Sequence, residues 1–338
     1  MDRKLASVQI ISEITSIPDA DRIEVVKFKS ISWQVVVRKN EFKMGDLCIY
    51  FEIDSLLTKT DWNAFLFKKD EPKYRLRTCR LRKVLSQGLA IPISIPELKD
   101  MVLTEGMNLT DILKVEKYEP EIPINMRGEI KRQFPSHLVP KTDELRVQSF
   151  PAVIDEFRGK RVYISQKLDG TSVTYIWMDG EFDVCSRNLS LKDTSETIYW
   201  KLAKQYDILA KLQSLGKGYA IQGECVGEGI QKNRMGLKGQ HLFVFNVYCI
   251  NENRYLNFEE FRAFCDKLGL QTVPILDVVD FDYDIEGLLE LANKWKYGNG
   301  HEQEGIVIRP VEEFRSIVLE GRASFKVINN QYLEKTGE

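Results

Sequence analysis

Arg161-Val162-Tyr163-Ile164-Ser165-Gln166-Lys167-Leu168-Asp169-Gly170-Thr171-Ser172-Val173-Thr174-Tyr175 is the stretch on which the reading of this chain turns. Apolar and β-branched residues on either side of Lys167-Leu168-Asp169-Gly170 read as two strands, Arg161 to Gln166 and Ser172 to Met178. Gly170 fits a tight backbone turn after the first strand. A neutral lysine amine can attack phosphorus; an ammonium cannot. With an ordinary pKa near ~10.4, about one free lysine in a few thousand is neutral at pH 7, a penalty of roughly 4–5 kcal/mol. Neighbouring cations reduce it. Asp169, two residues on, is expected on the same strand face as Lys167, where it can hold a metal-bound water or a ribose hydroxyl.

Further patterns follow in a fixed order: Ser186-Arg187-Asn188, Gly223-Glu224, Phe243-Val244-Phe245-Asn246, Glu304-Gly305-Ile306-Val307-Ile308, and finally Lys326. Glu224 and Glu304 stand beside glycines at the edges of strand-like runs. With Asp169, they suit a hard cation such as Mg²⁺ or Mn²⁺, bound partly through water. Arg187 offers a planar fork for a phosphate or ribose. Phe245 is a candidate stacking shelf for an adenine ring, and Lys326 is the available cation. Each residue alone has an ordinary structural reading; the ordered set within one half of the chain is what points to chemistry.

Working outward, strands in this half, including Leu242 to Tyr248, mix with helices expected over Thr194 to Leu215, Phe258 to Leu268 and Ile285 to Lys296. Asp193 with Glu196 predicts a capping box for the first; Asn257 and Gly269 bracket the second. The order is not a regular βαβ alternation, so the expected class is α+β with antiparallel sheets and flanking helices. The first ~115 residues read as short strands (Ile23 to Phe28, Trp33 to Val37, Leu47 to Ile53, Gly88 to Ile95) separated by turns, an OB-type β-barrel. A polar stretch with Pro120, Pro123, Pro135 and Pro140 joins the halves. The expected division is 1–120 for a nucleic-acid-binding barrel, 121–140 for a linker and 141–338 for a transferase domain.

The chain has 338 residues, 43% hydrophobic, with a net charge of −2, so any nucleic-acid surface must be local. One local run stands out: Lys68, Lys69, Lys73, Arg75, Arg77, Arg80, Arg82 and Lys83. Arg75 and Arg77 alternate and are expected to share one strand face; with Arg82, Lys83 and a nearby Tyr74, they form a candidate RNA contact. The alternative is a charge-blunted edge strand. Six scattered cysteines without a C-x-x-C pair, and three scattered histidines, exclude a zinc site or a catalytic triad as the expectation. No apolar signal core or long apolar run is found, so a soluble, intracellular protein is expected, with no membrane partner.

In these motifs the chain resembles the covalent nucleotidyltransferases, which include RNA ligases, DNA ligases and mRNA capping enzymes. Lys167-Leu168-Asp169-Gly170 resembles motif I with the nucleotidylated lysine; Ser186-Arg187-Asn188 resembles motif Ia, Gly223-Glu224 motif III, and Phe243 to Asn246 motif IIIa. Glu304 to Ile308 resembles motif IV and Ser324-Phe325-Lys326 motif V. Two positions depart: Asn246 stands where motif IIIa usually has aspartate, and Ser324 where motif V usually has lysine, unless Arg322 takes part of that role. DNA ligases and capping enzymes place an OB barrel after motif V, whereas here twelve residues follow Lys326 and the barrel candidate comes first. That order, the run Pro140-Lys141-Thr142-Asp143-Glu144-Leu145-Arg146-Val147-Gln148 and the stretch Gly227 to Asn233 resemble the ATP-dependent RNA ligases of the Deinococcus and Naegleria type. The resemblance implies a lysyl-AMP intermediate, an adenylated RNA 5′ end and sealing of 3′-OH and 5′-phosphate ends, on a nicked duplex and by a monomer. It implies catalytic roles for Lys167 and Lys326. It also implies nucleotide contacts from Gln166, Lys167, Asp169, Arg146, Arg187, Glu224, Phe245 and Lys326, and a metal on Asp169, Glu224 and Glu304. The competing readings are a DNA ligase or capping-type enzyme, and an OB binder carrying a decayed transferase domain.

Overall fold

The computed structural model describes residues 3–68, 71–119, 128–194 and 196–336. Lys69 of the basic run and 121–127 of the linker therefore lie outside the described residues. The chain divides into two compact units.

The first unit is built on β1 (Ala6–Ser16), β2 (Ile23–Phe28), β3 (Gln34–Arg38), β4 (Leu47–Phe51), β5 (Ser55–Thr58), β6 (Lys73–Arg75), β7 (Thr78–Leu81), β8 (Val84–Gln87), β9 (Leu89–Pro92) and β10 (Glu116–Lys117). A five-stranded antiparallel sheet runs β3-β2-β1-β4-β9. It curls until β3 meets β8, with Val36 N–H donating to Ser86 Oγ at 3.0 Å and Gln34 Nε2 to the Leu85 carbonyl at 2.8 Å. This is the nearly closed barrel of an OB fold, filled by Val8, Ile49, Phe51, Leu57, Ile91 and Leu109. Closure removes most of the open edge that a five-stranded sheet would expose. Two segments that sequence grouped with the transferase domain pack here instead, 146–153 and 330–336. Trp33 Nε1 donates to Ser149 Oγ at 3.1 Å, and Arg80 pairs with Glu334 of the C-terminal helix Asn330–Thr336 at 2.5 Å.

The described residues of the second unit hold two large antiparallel sheets and a small two-stranded one. Its strands are β11 (Ile130–Gln133), β12 (Leu145–Arg146), β13 (Arg161–Lys167), β14 (Thr171–Met178), β15 (Glu181–Cys185), β16 (Leu189–Leu191), β17 (Tyr219–Gly227) and β18 (Gln240–Cys249). They continue with β19 (Arg254–Tyr255), β20 (Ile275–Asp280), β21 (Gly305–Pro310), β22 (Arg315–Ser316), β23 (Gly321–Arg322) and β24 (Phe325–Ile328). Seven strands run β11-β16-β15-β14-β17-β18-β19; in the other large sheet β13 lies between β21 and β20, with β24 beyond β21. The larger sheet buries Val173, Tyr175, Ile221, Val244 and Val247 under α1 (Ile198–Gln205), α2 (Ile208–Gln213) and α3 (Phe258–Leu268).

The helix expected over Thr194 to Leu215 is broken. Thr197, whose side chain makes no capping bond, is the N-cap of α1, so the expected Asp193–Glu196 box does not form, and Asp207 at φ 51° separates α1 from α2. By contrast α3 has the expected cap at Asn257, which forms a reciprocal box with Glu260, and it ends as expected at Gly269, at φ 60°. The third helix, α4 (Ile285–Lys294), stops two residues short of its expected end.

Candidate active site

The tetrapeptide is the corner at which the chain passes from one sheet to the other. β13 ends at Lys167 and β14 begins at Thr171. Asp169 therefore lies past the strand end, and not on the β13 face expected from sequence. Gly170 is required for space rather than for a left-handed turn. A Cβ there would lie 2.3 Å from the Cys225 carbonyl oxygen, 2.7 Å from Val226 Cγ1 and 2.8 Å from Glu224 Cγ. The bare Cα lets the corner sit against β17, which brings Glu224 beside Asp169. Ser172 pairs with Glu224 in the ladder.

The other wall comes from β21. Lys167 lies opposite Gly305, so Glu304 enters the site one residue before that strand, and its Oε1 is 2.7 Å from Lys167 Nζ. Gly305, at φ +155°, leaves no room for a Cβ, which would meet the Val327 carbonyl at 2.2 Å. Val307 is opposite both Ser165 and Lys326. Since side chains alternate along a strand, Lys326 shares a sheet face with Ser165 and Lys167, two strands or about 10 Å across the sheet.

Three carboxylates thus surround one lysine. Glu304 is held by Lys167, and Asp169 by Arg234 at 3.2 Å. Burial pushes the Glu224 carboxyl up to about 8; Lys167 pulls it down, while the charges of Glu304 and Asp169 push it further up. Two of the three carboxylates are thus paired with a cation, and Glu224 is the one whose charge burial opposes. Among the described residues, no three acidic, histidine or cysteine side chains are gathered closely enough to hold a metal directly.

Phe243 and Phe245 project from β18 onto Leu168, Val226 and Val273, both rings half-buried. Phe245 sits at a bulge: Gln222 faces Asn246 and Gly223 faces Val244, so Phe245 has no partner in the ladder. Gln166 is buried, on the opposite face of β13 from Lys167 by alternation, and its N–H donates to the Pro274 carbonyl at 2.9 Å. Arg187 is exposed, paired with Asp143 at 2.5 Å, and its charge reaches Glu224.

Arg146 belongs to the first unit, where it is nearly buried, 3.0 Å from Asp54. Its Nε and Nη1 have no hydrogen-bond partner. Burial and then Arg3 hold its pKa below the ordinary value. Burial opposes ionisation of Asp54, but Arg146, Arg75 and Arg3 together keep its pKa low. Arg75 is tied into this cluster, 2.6 Å from Asp54 and stacked 3.9 Å over the Tyr118 ring. The open face expected of Arg75 and Arg77 together does not exist, because β6 ends at Arg75 and only Arg77 is exposed. Arg82 and Lys83 form the exposed tip of the β7–β8 hairpin, at φ 50° and 69°.

Both departures from the family motifs have local causes. Asn246 Oδ1 accepts from Arg322 Nη1 at 2.7 Å, and its Nδ2 donates to Gln222 Oε1 at 3.3 Å. An aspartate cannot make the second bond. Arg322 is engaged by Glu313 and lies 3.8 Å over the Tyr255 ring, so it does not stand in for the missing lysine. Ser324 accepts from the buried Arg309 Nε at 3.0 Å. Two site residues escaped the sequence reading. Arg234 follows the singled-out Gly227 to Asn233 loop, whose Gln231 Nε2 donates to the Gly170 carbonyl at 3.1 Å. Tyr297 is buried, and burial followed by the nearby Glu304 charge raises its pKa.

Residues 160–328 match the RNA ligase family, and residues 5–93 match an OB-fold domain family. No match was found among curated proteins. Among solved structures, a lysine-to-methionine mutant of Naegleria gruberi RNA ligase with AMP and Mn superposes with a TM-score of 0.88 at 36% identity, covering 98% of this chain and 99% of that one. The same ligase with pyrophosphate also gives 0.88 at 36% identity, covering 99% of each chain. A lysine-to-alanine mutant of it with ATP and Mn gives 0.88 and 36%, covering 98% and 99%.

Proposed function

The chain belongs to the RNA ligase family, and we propose that it joins RNA ends through a lysyl-AMP formed on Lys167. It is an ATP-dependent RNA ligase, with ATP and a divalent cation as cofactors. The observation that carries the assignment of the nucleophile is the position of Lys167 at the sheet corner, 2.7 Å from Glu304 and within the charge field of Glu224.

Three displacements at phosphorus follow. Lys167 Nζ bonds the α-phosphorus of ATP as the bond to the bridging oxygen breaks, pyrophosphate leaves and the amine sheds its proton. An oxygen of the RNA 5′-phosphate then displaces the lysine and takes the AMP. The 3′-hydroxyl attacks that 5′-phosphorus, AMP leaves and the strand is closed. Such reactions depend on positioning and charge more than on acid–base groups. Asp169, Glu224 and Glu304 fit a hard cation held partly through water, since they offer only oxygen ligands beside the reacting lysine. When bound, the cation would supply charge that offsets the phosphates and lowers the lysine pKa. Lys326 contacts the α-phosphate and depresses the Lys167 pKa from the same sheet face. Phe245 stacks on adenine, with Gln166 at its edge through the backbone before the nucleophile. Arg187 exchanges Asp143 for the ribose or the incoming 5′-phosphate. In the first unit Arg77, Arg82 and Lys83 are the RNA contacts, while Arg75 anchors the cluster on Asp54.

The substrate we propose is a nick in duplex RNA, where both ends are held on one strand, sealed by a monomer inside the cell. All six cysteines are free thiols, which fits a reducing compartment. No described helix is long and apolar enough to cross a membrane. The test is a 5′-labelled nicked RNA duplex incubated with ATP and Mg²⁺ or Mn²⁺. Sealing by the wild type, absent in Lys167→Ala, supports the reading. A wild type that seals only single strands would remove the nick, and one that seals nothing would remove the function.

A further inference from the structure

Glu144, in the run Pro140 to Gln148, has no part in the function above. Its Oε1 accepts from Arg309 Nη2 at 2.8 Å. Arg309 is 2% exposed, on β21. Its Nε donates to Ser324 Oγ at 3.0 Å, and its Nη1 to the Phe245 carbonyl at 3.3 Å. The same guanidinium lies 5.8 Å from the Phe245 ring centre. Burial opposes the Glu144 charge, but Arg309 and then Arg322 outweigh it and keep this carboxyl ionised.

This junction sits where the ladder of the larger sheet fails. Phe245 is the extra residue of the β18 bulge, with no partner of its own in the register. A buried carbonyl left without a donor is destabilising, and a bulge without a brace leaves its side chain free to swing. Arg309 supplies a donor, and Glu144 keeps Arg309 neutralised and fixed in direction. By register Tyr163 is opposite Arg309, and Lys167 is opposite Gly305, so Arg309 is on the Lys167 face, about 13 Å along the strand. It lies toward the base end of the site, away from the phosphorus chemistry.

We propose that Arg309, held by Glu144, is a positioning residue that sets the Phe245 ring for the adenine. The proposal rests on the reading of Phe245 as the base shelf. It also accounts for Ser324: a lysine at this position would put a second cation against Arg309, whereas serine accepts its Nε–H.

The test is a double-mutant cycle on lysyl-AMP formation, with rate measured against ATP concentration for the wild type, Phe245→Ala, Arg309→Met and the double variant. Loss of base stacking raises the half-saturating ATP concentration by about tenfold to a hundredfold in Phe245→Ala. Arg309→Met raises it by about fivefold or more with the limiting rate nearly unchanged, and the double variant is no worse than Phe245→Ala alone. A merely structural role would instead lower the active fraction or the limiting rate. Arg309→Lys restores part of the ATP affinity. If Arg309→Met does not fold, Glu144→Gln takes its place in the cycle. Effects of Phe245 and Arg309 that multiply, or an unchanged ATP dependence in Arg309→Met, overturn the proposal and leave the shelf standing. An unchanged ATP dependence in Phe245→Ala overturns the shelf and the proposal with it.

Discussion

Gly170→Ala would disturb the corner that brings the reacting groups together. The added Cβ would meet the Cys225 carbonyl oxygen at 2.3 Å, and reaching ordinary contact at 3.4 Å means moving the corner about 1.1 Å off β17. That oxygen belongs to the backbone of an internal strand and cannot swing aside, and Glu224 Cγ at 2.8 Å must move with it. Overpacking of this kind destabilises by about 1–3 kcal/mol, and a Tm loss of about 2–4 °C per kcal/mol is typical for a unit of this size. The effect on chemistry is larger, since a displacement near 1 Å can lower a rate by about 100-fold. Thermal melts and the single-turnover rate of lysyl-AMP formation measure the two effects separately. Gly128→Ala is the control, because a Cβ there meets nothing within 4 Å. Wild-type Tm and wild-type rate in Gly170→Ala would refute the reasoning that the corner is set by contact with β17.

Other outcomes follow from the same geometry. Replacing Arg82-Lys83 by Asn-Gly puts residues suited to positive φ into a tight hairpin turn, so stability rises by about 1 kcal/mol; RNA binding weakens and its log–log salt slope falls by about 2, with no change in labelling by ATP. A wild-type salt slope would remove the hairpin from the RNA surface. Lys326→Ala takes a cation from the Lys167 face, so the lysine pKa rises and the pH–rate curve for adenylation moves up by about one unit. A curve that falls in height without moving would limit Lys326 to phosphate contact. Glu224 has its folded pKa raised to about 8 from an ordinary 4.5. Its stabilising contribution is therefore complete below pH 4.5 and is lost as pH rises through 8. In metal-free buffer the Tm of Glu224→Gln relative to wild type should increase from pH 5 to pH 9; parallel melting curves would contradict that burial.

The parts of the fold that local chemistry determines were legible. The Asn257 cap and Gly269 stop act within a few residues, and α3 has the expected limits. β1 was missed because a register shift between Ile11 and Glu13 interrupts its alternation, although it is the centre of the barrel. The break at Asp207 carries no glycine or proline, so the apolar period ran through it unmarked. That Lys167, Asp169, Glu224 and Glu304 belong together was legible from their ordered motifs, and the sheet corner brings them into one cluster. Arg234, Tyr297 and the Glu144–Arg309 pair were not, since their partners are brought near only by strand pairing across the sheets. Arg75 failed for the opposite reason: a surface reading by alternation could not foresee that Asp54 draws it inward.

The central claim is that Lys167 carries the nucleotide, and the most direct measurement is transfer of label from α-labelled ATP, with GTP beside it, to the protein with a divalent metal, read after denaturing electrophoresis. The wild type is expected to give a labelled band from ATP that survives denaturation, is discharged by pyrophosphate and is absent in Lys167→Ala. Label that persists in Lys167→Ala, label from GTP alone, or none from either nucleotide with a folded protein would contradict it.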